Sequence, residues 1–152
     1  MNASEKNKTR ILIVDNWPFQ LMNTLIRLGD AGYFNTYPAL NCLEALIELH
    51  DTLRPYDIVL CSTSLEIGEL RSLLQEVSRH SLARYFSLAG DVDAIQNHMG
   101  FLTSLKGPGF QFLGVVDKPL VPSECDQVLG QAQPFKRSRG RPPLRKGRRL
   151  SQ

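Results

Sequence analysis

Five short runs of β-forming apolar residues, separated by segments with helical periodicity, constrain this 152-residue chain more than any other feature. Ile11-Leu12-Ile13-Val14 is apolar without alternation. That is the pattern of a strand covered on both faces, as in a parallel sheet. Phe34 to Tyr37 (ending before Pro38), Asp57 to Cys61, Arg84 to Leu88 and Phe112 to Val116 complete the set. Between the first two runs, Leu21, Met22, Leu25 and Ile26 repeat at helical spacing. Asn16 and Pro18 suit a helix start there, and Gly29 and Gly32 its end. A second helix is predicted from Asn41 through Leu43, Leu46, Ile47 and Leu49. A third, over 68–80, carries Leu70, Leu73, Leu74 and Val77. One continuous helix is predicted over 91–105, before Gly107-Pro108-Gly109, and a last one over 122–132, started by Pro122 or Ser123. Strands joined by helical crossovers imply a doubly wound α/β fold: a five-stranded parallel sheet with helices on both faces.

Charge divides the chain differently. Its 18 Lys+Arg against 15 Asp+Glu give a net +3, but eight of those cations lie in residues 136–149, which hold no acid. The remainder has 10 cations against 15 acids, a net of −5. Residues 1–8 are expected to be a flexible lead-in, 9–132 one folded domain and 133–152 a disordered basic tail that binds a polyanion. No run of 18 apolar residues exists, so no membrane span and no membrane partner are expected, and the polar start MNASEKNKTR has no secretory core. Cys42, Cys61 and Cys125 lack metal-ligand spacing and read as reduced thiols of a cytoplasmic protein; Cys61 reads as a buried strand residue. His50, His80 and His98 are scattered and read as surface residues. No metal, cofactor or enzymatic activity is expected.

In open parallel sheets, function gathers at the carboxyl ends of the strands. Those ends present Asp15-Asn16, Cys61-Ser62, Ser87 and Asp117-Lys118-Pro119. With ILIVDN and VVDKPL at this spacing, residues 9–131 resemble the receiver domain of bacterial response regulators. VDNWPFQ, YDIVLCSTSLE and FLGVVDKPLVP resemble most closely the receivers that precede cyclic-di-GMP phosphodiesterase domains, although no stretch of the chain resembles that enzyme. The resemblance implies the flavodoxin-like receiver fold. It also implies phosphoryl transfer to an aspartate, with Mg²⁺ held by acidic oxygens. Lys118 matches the family's lysine and Asp15 one member of its acidic pair, the other being Asn16. Ser87 matches the switch hydroxyl, with Leu88 as the competing register.

The departure falls at the phosphoacceptor, where this chain has Ser62. Serine forms neither an acyl phosphate nor a strong Mg²⁺ site. Asp57 is no substitute: five residues at ~3.3 Å each put it about 16 Å away along the strand. Glu66 lies in the next loop, out of register. A degenerate receiver that does not switch by phosphorylation is therefore expected. Asp15 is then left to cap a helix or to pair with Lys118, which needs a counter-charge. Pro119 is expected to keep the family's tight turn, with a cis Lys-Pro bond as one option. Trp17 fits equally the core or the pocket rim.

Arg139-Gly140-Arg141-Pro142, followed by Pro143, matches the core of the AT-hook. Prolines keep such a segment extended, and Gly140 lets the backbone approach the groove floor. Arg139 and Arg141 would lie along the narrow minor groove of A·T-rich DNA, which guanine's amino group would obstruct. Lys136, Arg137, Arg145, Lys146, Arg148 and Arg149 would meet phosphates. The expected partner is A·T-rich double-stranded DNA, in nucleoid-associated transcriptional regulation. A homodimer would add avidity, and the resemblance suggests pairing through the fourth and fifth helices. The alternative is a protein–protein adaptor whose basic tail binds polyanions without selectivity.

Overall fold

The computed structural model describes residues 1–105 and 109–132. Strands β1 (Ile11–Val14), β2 (Thr36–Ala39), β3 (Tyr56–Ser62), β4 (Ala83–Ala89) and β5 (Gln111–Val116) form one sheet in the order β2-β1-β3-β4-β5, parallel throughout. This is the predicted doubly wound arrangement. Helices α1 (Ala3–Lys8), α2 (Pro18–Asp30), α3 (Cys42–Asp51), α4 (Ile67–His80), α5 (Met99–Ser104) and α6 (Pro122–Leu129) complete the described chain.

The strands sort their side chains by parity. Leu12, Val14, Val59, Cys61, Phe86 and Leu88 face one core, under α3, α4 and α5. Ile11, Ile13, Ile58, Leu60, Tyr85 and Ala89 face the other, under α2 and α6. All four residues of β1 are buried, as a central strand with no alternation requires.

Four predicted elements differ. The N-terminal residues, expected as a flexible lead-in, form α1. Asn2 and Glu5 build a capping box there, and Lys6 reaches Asp126 at 3.0 Å. Strand β2 runs two residues later than the apolar pattern suggests and contains Pro38. The carbonyls of Asn35 and Ala39 accept from Ile11 and Asp15, so odd-numbered residues bond inward and the Pro38 nitrogen faces outward from an edge strand, where it costs no ladder bond. The helix predicted over 91–105 is a 3₁₀ segment (Val92–His98) followed by α5. Ile95 leaves helical geometry (φ −125°, ψ 21°) and is buried in the core. The final helix stops at Leu129 and is capped by Gly130.

Candidate functional site

Asp15, Ser62 and Lys118, which the sequence puts at strand ends, come together at the carboxyl ends of β1, β3 and β5. Asp15 follows β1, and its Oδ1 accepts from the Trp17 backbone N–H at 3.0 Å, which starts α2. Lys118 follows β5 and is linked to Pro119 by a cis peptide bond. Its ammonium donates to Asp15 Oδ2 at 2.7 Å, Ser62 Oγ at 2.6 Å and Gln20 Oε1 at 2.8 Å. Three donors therefore meet three acceptors, and the amine is saturated. Asp15 and Ser62 are buried (1 % and 2 % exposed), so this charge-assisted set lies where each partner needs the other.

The network continues outward. Ser62 Oγ accepts from Lys118 and from the Ser64 N–H at 3.2 Å, which uses both lone pairs. Its proton must then point at Ser64 Oγ, 2.7 Å away, and Ser64 donates in turn to Asn16 Oδ1 at 2.7 Å. Asn16 Nδ2 returns to the Ser64 carbonyl at 3.4 Å. Gln20 and Ser64 are members of the site that sequence reasoning missed. The Ser62-Thr63-Ser64 run at a strand end was the available signal for Ser64.

Ser87 needs correction. Register sets Ser62 opposite Ala89, and Ser87 opposite Leu60, two residues deeper in the sheet. Its side chain is on the right face at the wrong depth. The hydroxyl donates to the Gly114 carbonyl at 2.6 Å, beside a bulge where β5 takes an extra residue and Gly114 adopts φ 138°. Level with Ser62 there is no hydroxyl on β4. Leu88, the competing register, points into the opposite core. Gly90 follows with φ 122°, and a Cβ there would run into Thr63 Oγ1, so the loops after β3 and β4 are in close contact.

The other predicted residues fall plainly. Asp57 is near the far end of β3, where it accepts from the Arg10 N–H at 2.8 Å. Glu66 caps α4; hydrogen bonds from the Gly68 and Glu69 N–H groups hold its carboxyl below the usual range. Trp17 is 58 % exposed, which puts it at the rim. Burial pushes the Cys61 thiol well up, and raises Cys42 and Cys125 to about 11. His50 and His80, read as scattered, stand on either side of Glu76 at 3.5 and 3.4 Å. Among the described residues, no group of three His, Cys, Asp or Glu side chains is arranged to hold a metal ion. At the pocket the donor set does not fit Mg²⁺: the one carboxylate, Asp15, is paired with Lys118, and the neighbours are an amide and a hydroxyl. Lys136, Arg137, Arg139, Gly140, Arg141, Pro142, Arg145, Lys146, Arg148 and Arg149 lie outside the described residues. No described helix is long and apolar enough to cross a membrane.

No protein-family model and no curated protein matches the chain. Solved structures do. The chemotaxis response regulator CheY4 of Vibrio cholerae is 16 % identical with a TM-score of 0.60, covering 81 % of this chain and 97 % of its own. The signal receiver domain of an HD domain-containing protein from Pseudomonas fluorescens Pf-5 is 20 % identical with a TM-score of 0.62, covering 82 % and 94 %. A response regulator from Colwellia psychrerythraea is 14 % identical with a TM-score of 0.60, covering 82 % and 95 %. The described part of the chain has the receiver fold of response regulators.

Proposed function

We propose that this protein is a phosphorylation-independent regulator, in which a receiver-fold body carries a tail that binds A·T-rich DNA in the bacterial cytoplasm. The observation that carries the first half is the saturated Lys118 ammonium. In a phosphoryl-accepting site that charge meets the incoming phosphoryl group beside a carboxylate nucleophile. Here it is held by Asp15, Ser62 and Gln20, and the nucleophile position is a hydroxyl. The second half rests on sequence: Arg139-Gly140-Arg141-Pro142 inside a run of eight cations, attached to a body of net −5. Paired arginines around a glycine suit a narrow minor groove, and the flanking cations suit phosphates.

Anisotropy titrations of the full chain with A·T-rich and G·C-rich duplexes test the DNA reading. Preferential binding to the A·T duplex, reduced by Arg139→Ala with Arg141→Ala, is expected. Equal affinities unaffected by that double substitution would overturn it. The adaptor alternative predicts that regulation survives deletion of residues 134–152. Intact-mass measurement after incubation with acetyl phosphate and Mg²⁺ tests the switch. The expected result is no added phosphoryl group.

A further inference from the structure

Six of the eleven large exposed apolar side chains among the described residues lie on α2, on α3 or just before β2. Phe19, Met22 and Ile26 stand at i, i+3 and i+7 on α2, and are 93 %, 60 % and 55 % exposed. Phe34, 70 % exposed, lies beside Gly29 at the end of the same helix. Leu43 and Ile47 stand at i and i+4 on α3, and are also exposed. Helices α2 and α3 both pack against β2, the edge strand.

Two properties of this edge say what covers it. The first is area: at about 150–200 Å² for a side chain of this size, Phe19, Met22, Ile26 and Phe34 expose on the order of 400–550 Å². That is at the upper end of the roughly 300–600 Å² of a typical monomer's largest patch, which is often functional, and two copies meeting face to face would bury on the order of 800–1,100 Å², the size of a weak, reversible interface. The second is charge. Residues 16–43 contain two charged side chains, Arg27 and Asp30, which pair with each other at 3.3 Å. The rest of the body carries the net −5, so this is the surface on which two acidic bodies meet without opposing charges. Strand-to-strand pairing across the edge is blunted, because the Pro38 nitrogen faces outward. Contact therefore falls to the α2 stripe, whose i, i+3, i+7 spacing is that of a helix–helix seam.

We propose that the α2 stripe with Phe34 is the contact face of a symmetric dimer, α2 of one protomer lying against α2 of its partner. A two-fold axis suits the face, since the same neutral apolar patch serves both protomers. The face lies at the sheet edge opposite β5 and is distinct from one built on the later helices. It stands independently of DNA binding. Each dimer would present two tails.

Sedimentation equilibrium of the full chain, without DNA, tests the assignment. A concentration-dependent dimer is expected, weakened at least tenfold by Met22→Glu with Ile26→Glu. Both side chains are exposed, and circular dichroism checks that the variant stays folded. Oxidative cross-linking gives a second readout that does not depend on that variant. The three native thiols are buried, so Met22→Cys should form an inter-protomer disulfide, and Gln111→Cys, exposed at the β5 edge, should not. A monomer across the whole range overturns the proposal and leaves the face to an unlike protein. A dimer that persists undiminished in the double variant also overturns it. Loss of the dimer with retained DNA binding, or the reverse, separates this inference from the DNA reading.

Discussion

Lys118 Nζ lies 2.7 Å from Asp15 Oδ2, an ion pair that joins the ends of β1 and β5 across the sheet. The Asp15 side chain is 2 % exposed and the Lys118 side chain 17 %. Such a pair is held by mutual need rather than by large net attraction, because each charge loses hydration on burial.

Removing one partner should therefore cost more than removing both. Lys118→Ala leaves Asp15 buried without its counter-charge and is expected to destabilise the fold by about 3 kcal/mol. Asp15→Asn combined with Lys118→Met is expected to recover most of that loss. Urea unfolding of the wild type, Asp15→Asn, Lys118→Met and the double variant completes the cycle.

A second pair ties the N-terminal helix to the body. Lys6 contacts Asp126 at 3.0 Å, and Tyr33 donates to the same carboxylate at 3.0 Å. Burial pulls the Asp126 pKa upward, but the hydrogen bonds from Lys6 and Tyr33 outweigh it and hold the carboxyl below its usual range. A group with a depressed folded pKa contributes stability above the unfolded value, about 3.9 for Asp, and loses it as pH falls through the folded value. Lys6→Ala should thus lower the urea midpoint at pH 7, and the gap should begin to narrow below about pH 4, leaving the part due to the Lys6 bond to the Ala31 carbonyl. Unfolding curves at pH 7, 5 and 3 check this.

Much of this was legible in the sequence, and the misses have physical causes. Unbroken apolar runs such as Ile11–Val14 identify parallel strands, and motif spacing brings Asp15 and Lys118 to one end of the sheet. Register is what sequence conceals. A β-strand repeats every two residues, so Ser87 and Ala89 share a face. Which of them stands level with Ser62 depends on pairing that no local pattern fixes. The edge position of β2, which makes Pro38 tolerable, is likewise a property of the whole sheet. Gln20 was missed because one glutamine in the first turn of a helix carries no signal until the fold brings Lys118 to it.

The corrected place of Ser87 has a measurable consequence. Its hydroxyl serves the Gly114 carbonyl at the bulge, with no hydrogen bond to the Lys118 network. Ser87→Ala is expected to cost about 1 kcal/mol, the worth of a typical internal hydrogen bond. The variant should leave the Lys118→Ala penalty unchanged, as additivity of independent sites requires.

Thiol chemistry offers a check on burial in both cores. Cys42 and Cys61 face one, and Cys125 the other. Burial is the main cause that raises Cys42 and Cys125 to about 11. Against an ordinary thiol near 8.5, that leaves roughly a hundredfold less thiolate at pH 8. A chromogenic disulfide reagent should react slowly with the native protein, and should count three thiols once it is unfolded in urea.

The cations of the tail should separate by role. If Arg139 and Arg141 lie in the minor groove, replacing both with Ala should remove most of the preference for A·T-rich over G·C-rich duplex, because that preference depends on groove width and guanine's amino group. If Arg148 and Arg149 meet phosphates, replacing both should weaken binding to the two duplexes alike. Each phosphate neutralised contributes about −0.9 to the slope of log K against log salt, so this second variant should flatten the slope by roughly 1.8. A tail that acts only through its charge gives a different result: both double variants would flatten the slope equally, and neither would change the ratio of affinities. Titrations at four salt concentrations, on both duplexes, distinguish the two patterns.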